Sequence, residues 1–131
     1  MNRPKLQALS NEELAELFKQ FSFKQADSEM RNDSRTYNRC FDRLKDISTE
    51  LRQRGFDARR ALVPLLDCPR DAGRLSDVAQ CRYNAAWELL AVEPDRARAT
   101  LKAIATSVTQ YQMALARGTL ERLDNGTFTP T

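Results

Sequence analysis

CRYNAAWELLAVEP, residues 81–94, sets Ala85 and Ala86 side by side in the middle of a helical segment, puts Trp87 next to them, and ends in Val-Glu-Pro. Small side chains at mid-helix let a second helix approach closely, so the alanine pair reads as a helix-crossing contact. Pro94 suits the first turn of a following helix, where its missing N–H has no intrahelical partner to lose. The stretch therefore predicts a helix ending near Val92, a tight turn, and a new helix.

Both neighbours of this stretch carry the same rhythm. After Pro94, Ala97, Leu101 and Ile104 form one inward stripe; from Thr109 a further helix carries Met113, Ala116, Leu120 and Leu123 until Asp124-Asn125-Gly126 stops it. A shift of 33 residues lays Trp87-Glu88 on Leu120-Glu121 and Leu90 on Leu123, so two helix pairs follow one another. Upstream, Asp57 is a candidate cap for a helix that buries Leu62, Leu65 and Leu66, with Pro64 removing one backbone hydrogen bond and kinking it. The loop PRDAGRLSD follows, and Ser76 or Asp77 is the candidate cap of the helix holding the alanines.

Two helices precede these pairs. Ser10 and Glu13 form a capping box ahead of Leu14, Leu17, Phe18 and Phe21, predicting a helix over residues 10–27. The next carries Tyr37, Cys40, Phe41, Leu44, Ile47 and Leu51 on one stripe and stops at Gly55. On its other face Arg35, Arg39 and Arg43 alternate with Asp42, Asp46 and Glu50, which reads as a solvated face of weak ion pairs rather than a phosphate-binding row. Strand signals are nearly absent, and the closing FTPT reads as a tail. The expected fold is all-α, about six helices in a single domain over residues 1–131.

Composition narrows the function. The 131 residues are 41% hydrophobic and 30% charged, ordinary for a soluble protein, with no run approaching the roughly 18 apolar residues of a membrane span. The opening MNRPKLQALSNEEL has no apolar core of a signal peptide, so cytoplasm is the expected location. No His is present, which excludes Ser-His and Cys-His nucleophile pairs and His-ligated metals. The four glycines make no phosphate-cradling loop, and Cys40, Cys68 and Cys81 are too widely spaced for a zinc motif. The expectation is a protein with no catalytic activity, cofactor or metal, whose three thiols are reduced and partly or wholly buried.

LVPLLDCP followed by CRYNAAWELLAV resembles the HEAT repeat. Asp67, Arg82 and Ala85-Ala86 stand at the family's Asp, Arg and Ala-Ala positions, with Cys81 in place of Val. The resemblance implies an α-α superhelix, two HEAT-like pairs preceded by two N-terminal helices. It also implies a structural turn in which Arg82 meets Asp67 or a carbonyl of the intervening loop. Tyr37-Asn38-Arg39, the segment from Arg59 to Leu66 and the Leu123–Gly126 end are further similar to a small family of uncharacterised bacterial proteins with HEAT-like helices.

In such solenoids the second helix of each pair lines a concave face that takes partners. That face would present Tyr83, Asn84, Trp87 and Glu88 from one helix and Arg117 and Glu121 from the other, with the aromatic pair as its anchor. The expected function is protein binding, as a toxin-neutralising immunity protein or another adaptor. The alternative is a binder of nucleic-acid backbones through Arg70, Arg74, Arg82, Arg117 and Arg122; the net charge of +3 and the acids interleaved among them argue against it.

Overall fold

The computed structural model describes residues 3–131, with side chains from Leu6 onward; the N-terminal leader reading rests in part on Met1 and Asn2, which lie outside the described residues. Among the described residues the chain is helical and contains no strand. A 3₁₀ turn, Arg3–Ala8, leads into α1 (Asn11–Met30) and α2 (Ser34–Arg54); a short α3 (Phe56–Arg59) runs directly into a 3₁₀ helix, Arg60–Asp67; then come α4 (Leu75–Leu89), α5 (Pro94–Ala105) and α6 (Gln110–Asp124). No helix is long and apolar enough to cross a membrane, and no cluster of three or more Cys, Asp or Glu is placed to hold a metal, both among the described residues.

Local chemistry explains most boundaries. The Ser10 hydroxyl accepts from the Glu13 N–H at 3.0 Å while the Glu13 carboxylate accepts from the Ser10 N–H at 2.9 Å, completing the capping box. Gly55 ends α2 at φ 110°, a conformation that favours glycine. Pro94 opens α5 as its first residue. Two expected caps are corrected. Asp57 lies inside the first turn of α3 and its exposed side chain pairs with Arg60. Before α4 the capping position is Arg74, whose backbone N–H donates to the Asp77 carboxylate at 3.1 Å.

The segment around Pro64 is tighter than a kinked α-helix. Proline cannot donate to residue 60 and its ring crowds that carbonyl, and the chain takes 3₁₀ geometry from Arg60 to Asp67. Leu62 and Leu66 still reach the core, while Leu65 is half-buried.

A main hydrophobic cluster draws on every helix, from Leu6 to Ala116, with Phe18, Ile47, Leu51, Leu89 and Leu101 fully buried. Each large side chain of this kind contributes about 1.5–3 kcal/mol by leaving water. Ala85 and Ala86 are inaccessible to solvent within it, as a crossing contact requires. α1 is the hub: α2 packs along one side of it and α4 along another. Cys68, Val78 and Cys81 form a small second cluster, and all three cysteines are free and buried.

Two stripes differ from expectation. Phe41 is 55% exposed rather than inward. On α6 the fully buried positions are Gln112, Ala116 and Thr119, with Met113, Leu120 and Leu123 half-buried. Gln112 and Thr119 go inside because each has a polar partner waiting on α4, Gln80 and Tyr83 respectively.

Candidate functional site

α2 and α4 both pack on α1, and they meet each other through side-chain tips. Between them a cleft of about 500 Å³ opens, with Phe18 and Gln25 of α1 at its base. Phe41, Leu44 and Lys45 line the α2 side; Tyr83, Asn84 and Trp87 line the α4 side, and Leu115 reaches in from α6.

α2 is tied across to α6 at one place and to α4 at another. Near the start of α2, the Tyr37 and Tyr111 hydroxyls hydrogen-bond at 2.7 Å and their rings meet edge to face, 6.3 Å between centroids. Toward its end, the Glu88 carboxylate accepts from the Ser48 hydroxyl at 2.5 Å and from the Arg52 guanidinium at 3.3 Å. Eleven residues of helix separate Tyr37 from Ser48, roughly 16 Å at a rise of 1.5 Å per residue. Burial, aided by the bond to Tyr111, pushes the Tyr37 hydroxyl well above the usual phenol range, and burial does the same at Tyr83. Both phenols therefore stay neutral near pH 7.

A run of buried amides underlies the cleft. Gln112 Nε2 donates to Gln80 Oε1 at 3.1 Å, Gln80 Nε2 to Asn84 Oδ1 at 3.0 Å, and Asn84 Nδ2 to both Gln25 Oε1 and Ser22 Oγ at 2.9 Å. All the dipoles run in one direction, from α6 through α4 to α1.

Trp87 stands apart from the main core. Tyr83, Leu120 and Phe128 pack against that cluster, but the indole is not among the side chains that do. One indole face stacks on Phe128 at 5.3 Å between centroids, the planes 15° apart, and its edge borders the cleft. The residues read as a tail are thus folded back. Arg52 Nη1 donates to the Thr131 hydroxyl at 3.1 Å, and Arg59 donates to the Thr131 and Glu88 carbonyls at 3.0 and 2.8 Å. Arg59 itself is 5% exposed, and burial depresses its pKa. Nothing in the periodicity marked it, because an arginine beside another arginine reads as surface.

The expected partner-binding set divides. Tyr83, Asn84, Trp87 and Glu88 line the cleft together. Arg117 and Glu121 lie on a separate shallow hollow beside Leu120 and Asp124, and Arg117 Nε donates to the Ala105 carbonyl at the end of α5. At the expected structural turn, Arg82 donates from Nε and Nη2 to the Cys68 carbonyl at 3.0 and 2.5 Å. Asp67 is not its partner: that carboxylate is 81% exposed and faces Arg96 at 3.6 Å. The loop from Cys68 to Leu75 moves the acid away and leaves the carbonyl in reach.

Most of the arginines considered for nucleic acid are engaged within the protein. Arg74 pairs with Asp27 and Asp77, Arg82 and Arg117 hold backbone carbonyls, and Arg122 reaches Thr119. On the polar face of α2, Glu50 pairs with Arg54 one turn on, at 2.8 Å.

A family model described as a domain of unknown function (DUF2019) matches residues 12–124. No curated protein matches the chain. Among solved structures, the crystal structure of the protein RPA1889 from Rhodopseudomonas palustris CGA009 is 34% identical and covers 96% of this chain and 98% of its own, with a TM-score of 0.86.

Proposed function

The chain belongs to the family described as a domain of unknown function (DUF2019), and from that premise we propose a non-catalytic protein-binding module of HEAT-like helix pairs. The observation that carries this reading is the α2–α4 cleft, where Trp87 forms part of a wall without packing into the main core. A half-buried aromatic side chain outside the main cluster, beside Tyr83 and a polar rim, has the makeup of an interface anchor. The HEAT-like arrangement draws support from the close packing of consecutive elements: the 3₁₀ helix on α4, α4 on α5, and α5 on α6. The pairs are unequal, since the first opens with a 3₁₀ helix and the second with a regular α-helix.

The specific form proposed is a cytoplasmic bacterial immunity protein that neutralises a toxin by occupying it; an adaptor for another protein is the alternative form. The nucleic-acid reading loses support because Arg74, Arg82 and Arg117 are held by the protein's own acids and carbonyls. Binding to duplex DNA at low salt is expected to be absent, and a strong, salt-sensitive affinity would restore that reading.

The test is to read the neighbouring genes and, where one encodes a toxin-like protein, to titrate that product by calorimetry. Wild-type protein should bind it, and Trp87→Leu should bind about 2 kcal/mol more weakly, the scale of a hot-spot residue. A neighbourhood of metabolic genes would end the immunity form, and unchanged affinity in Trp87→Leu would end the assignment of this cleft to the partner.

A further inference from the structure

We propose that the α2–α4 cleft is a pocket for a small amphiphilic organic acid, an aromatic or short aliphatic body ending in a carboxylate. The inference rests on the cleft being a binding site, as above, but not on its occupant being a protein.

Shape comes first. The volume of about 500 Å³ falls inside the range of small-molecule pockets. The Ser48/Arg52–Glu88 tie links α2 to α4, and about three helical turns earlier the Tyr37–Tyr111 tie links α2 to α6, bounding the cleft along α2. A compact molecule fits between the two ties. The walls between the ties are mostly apolar: Phe41, Leu44, Tyr83, Trp87 and Leu115.

The polar end of the ligand follows from the amide run. Gln112, Gln80 and Asn84 each donate to the next amide in the run, and Gln25 receives the last bond on its oxygen. Gln25 is 3% exposed and lines the cleft, and its Nε2 has no acceptor among the described residues. The run therefore ends in a donor at the cleft, strengthened by the aligned dipoles behind it and suited to an oxygen acceptor. A hydroxyl or carbonyl would serve that bond, and charge selects the carboxylate. Lys45 lines the same cleft with no carboxylate at ion-pair distance among the described residues. Among the described residues lining the cleft the one acid, Glu88, is already engaged by Ser48 and Arg52. Asp42 lies one turn before Lys45, outside the lining.

Trp87 is the chain's single tryptophan and borders the cleft, so its fluorescence reports occupancy directly. The experiment titrates the intact protein with 4-phenylbutyrate and octanoate, and with the alcohols 4-phenylbutanol and octanol, following Trp87 emission and thermal melting in parallel. The acids should produce a saturable change and raise the melting temperature, binding about tenfold tighter than the alcohols. Lys45→Glu, an exposed substitution, should remove that preference while leaving alcohol binding in place. No saturable response to either acid by both readouts overturns the proposal. So does equal affinity for acid and alcohol, or an acid preference that survives Lys45→Glu. If the acids bind but Trp87→Leu leaves protein-partner affinity intact, the partner reading fails alone. If the acids do not bind while that variant loses its partner, this inference fails alone.

Discussion

On the side of α4 turned to the core, Ala85, Ala86 and Leu89 are inaccessible to solvent, and neighbouring elements close over them. On the side turned to α2, the same helix carries Tyr83, Asn84, Trp87 and Glu88, and its neighbour stands off across a cleft joined by side-chain tips. Small residues bring backbones together; large ones with hydrogen-bonding tips hold them apart and leave space. One helix therefore shows two kinds of face, a close-packed one and one that borders open space. That contrast predicts that the two faces respond differently to substitution.

The largest effect belongs on the packed face. Leu89→Ala should cost about 3 kcal/mol or more in a urea melt, from lost burial and the cavity left behind. A loss under about 1 kcal/mol would mean that this face is not close-packed. Overfilling the crossing comes next: Ala86→Leu should destabilise by about 2 kcal/mol, since Ala86 is inaccessible to solvent at the crossing and the added carbons must displace its neighbours.

Arg59 joins the two regions, because it holds the Glu88 carbonyl at the end of α4 and the Thr131 carbonyl of the returning chain. Arg59→Met should cost about 2 kcal/mol by leaving the Glu88 carbonyl without its donor, and should speed amide exchange in residues 127–131. Unchanged exchange there would show that the Trp87–Phe128 stack alone holds the segment.

On the cleft side the effects shrink. Tyr37→Phe breaks one tie and should cost about 1 kcal/mol. Its raised pKa adds a pH signature: the tie's contribution is fully present below the unfolded phenol value, about 10, and is lost as pH climbs from there toward the folded value. The variant should lose less stability than wild type over that alkaline range, as chemical melts at pH 8 and above would show.

What was legible in the sequence follows the same division. Caps and breakers at Ser10, Gly55 and Pro94 could be read because their chemistry is local to a few residues. The alanine pair could be read because burial leaves small residues at a crossing. Tyr83, Asn84, Trp87 and Glu88 could be grouped because helical spacing puts them on one face. The opposite wall could not, since Phe41 and Lys45 become cleft residues only once α1 holds α2 away from α4. Gln112, Thr119 and Arg59 were missed for a related reason. Polar residues predict solvent unless the distant partner that satisfies them is known, and those partners lie 12 or more residues away. Arg117 and Glu121 followed a repeat register that does not carry them to the cleft.

The contrast between the two faces of α4 rests most heavily on Trp87, and the melting of Trp87→Leu tests it without any ligand or partner. The indole packs on Phe128 and not on the main core, so replacing it should forfeit only a ring stack, about 1 kcal/mol. A small shift in the melting midpoint, with full helicity retained, is the predicted result. A loss above about 3 kcal/mol, the cost of emptying a core site, would place Trp87 in the folding machinery and leave the cleft without the residue that marks it as a binding site.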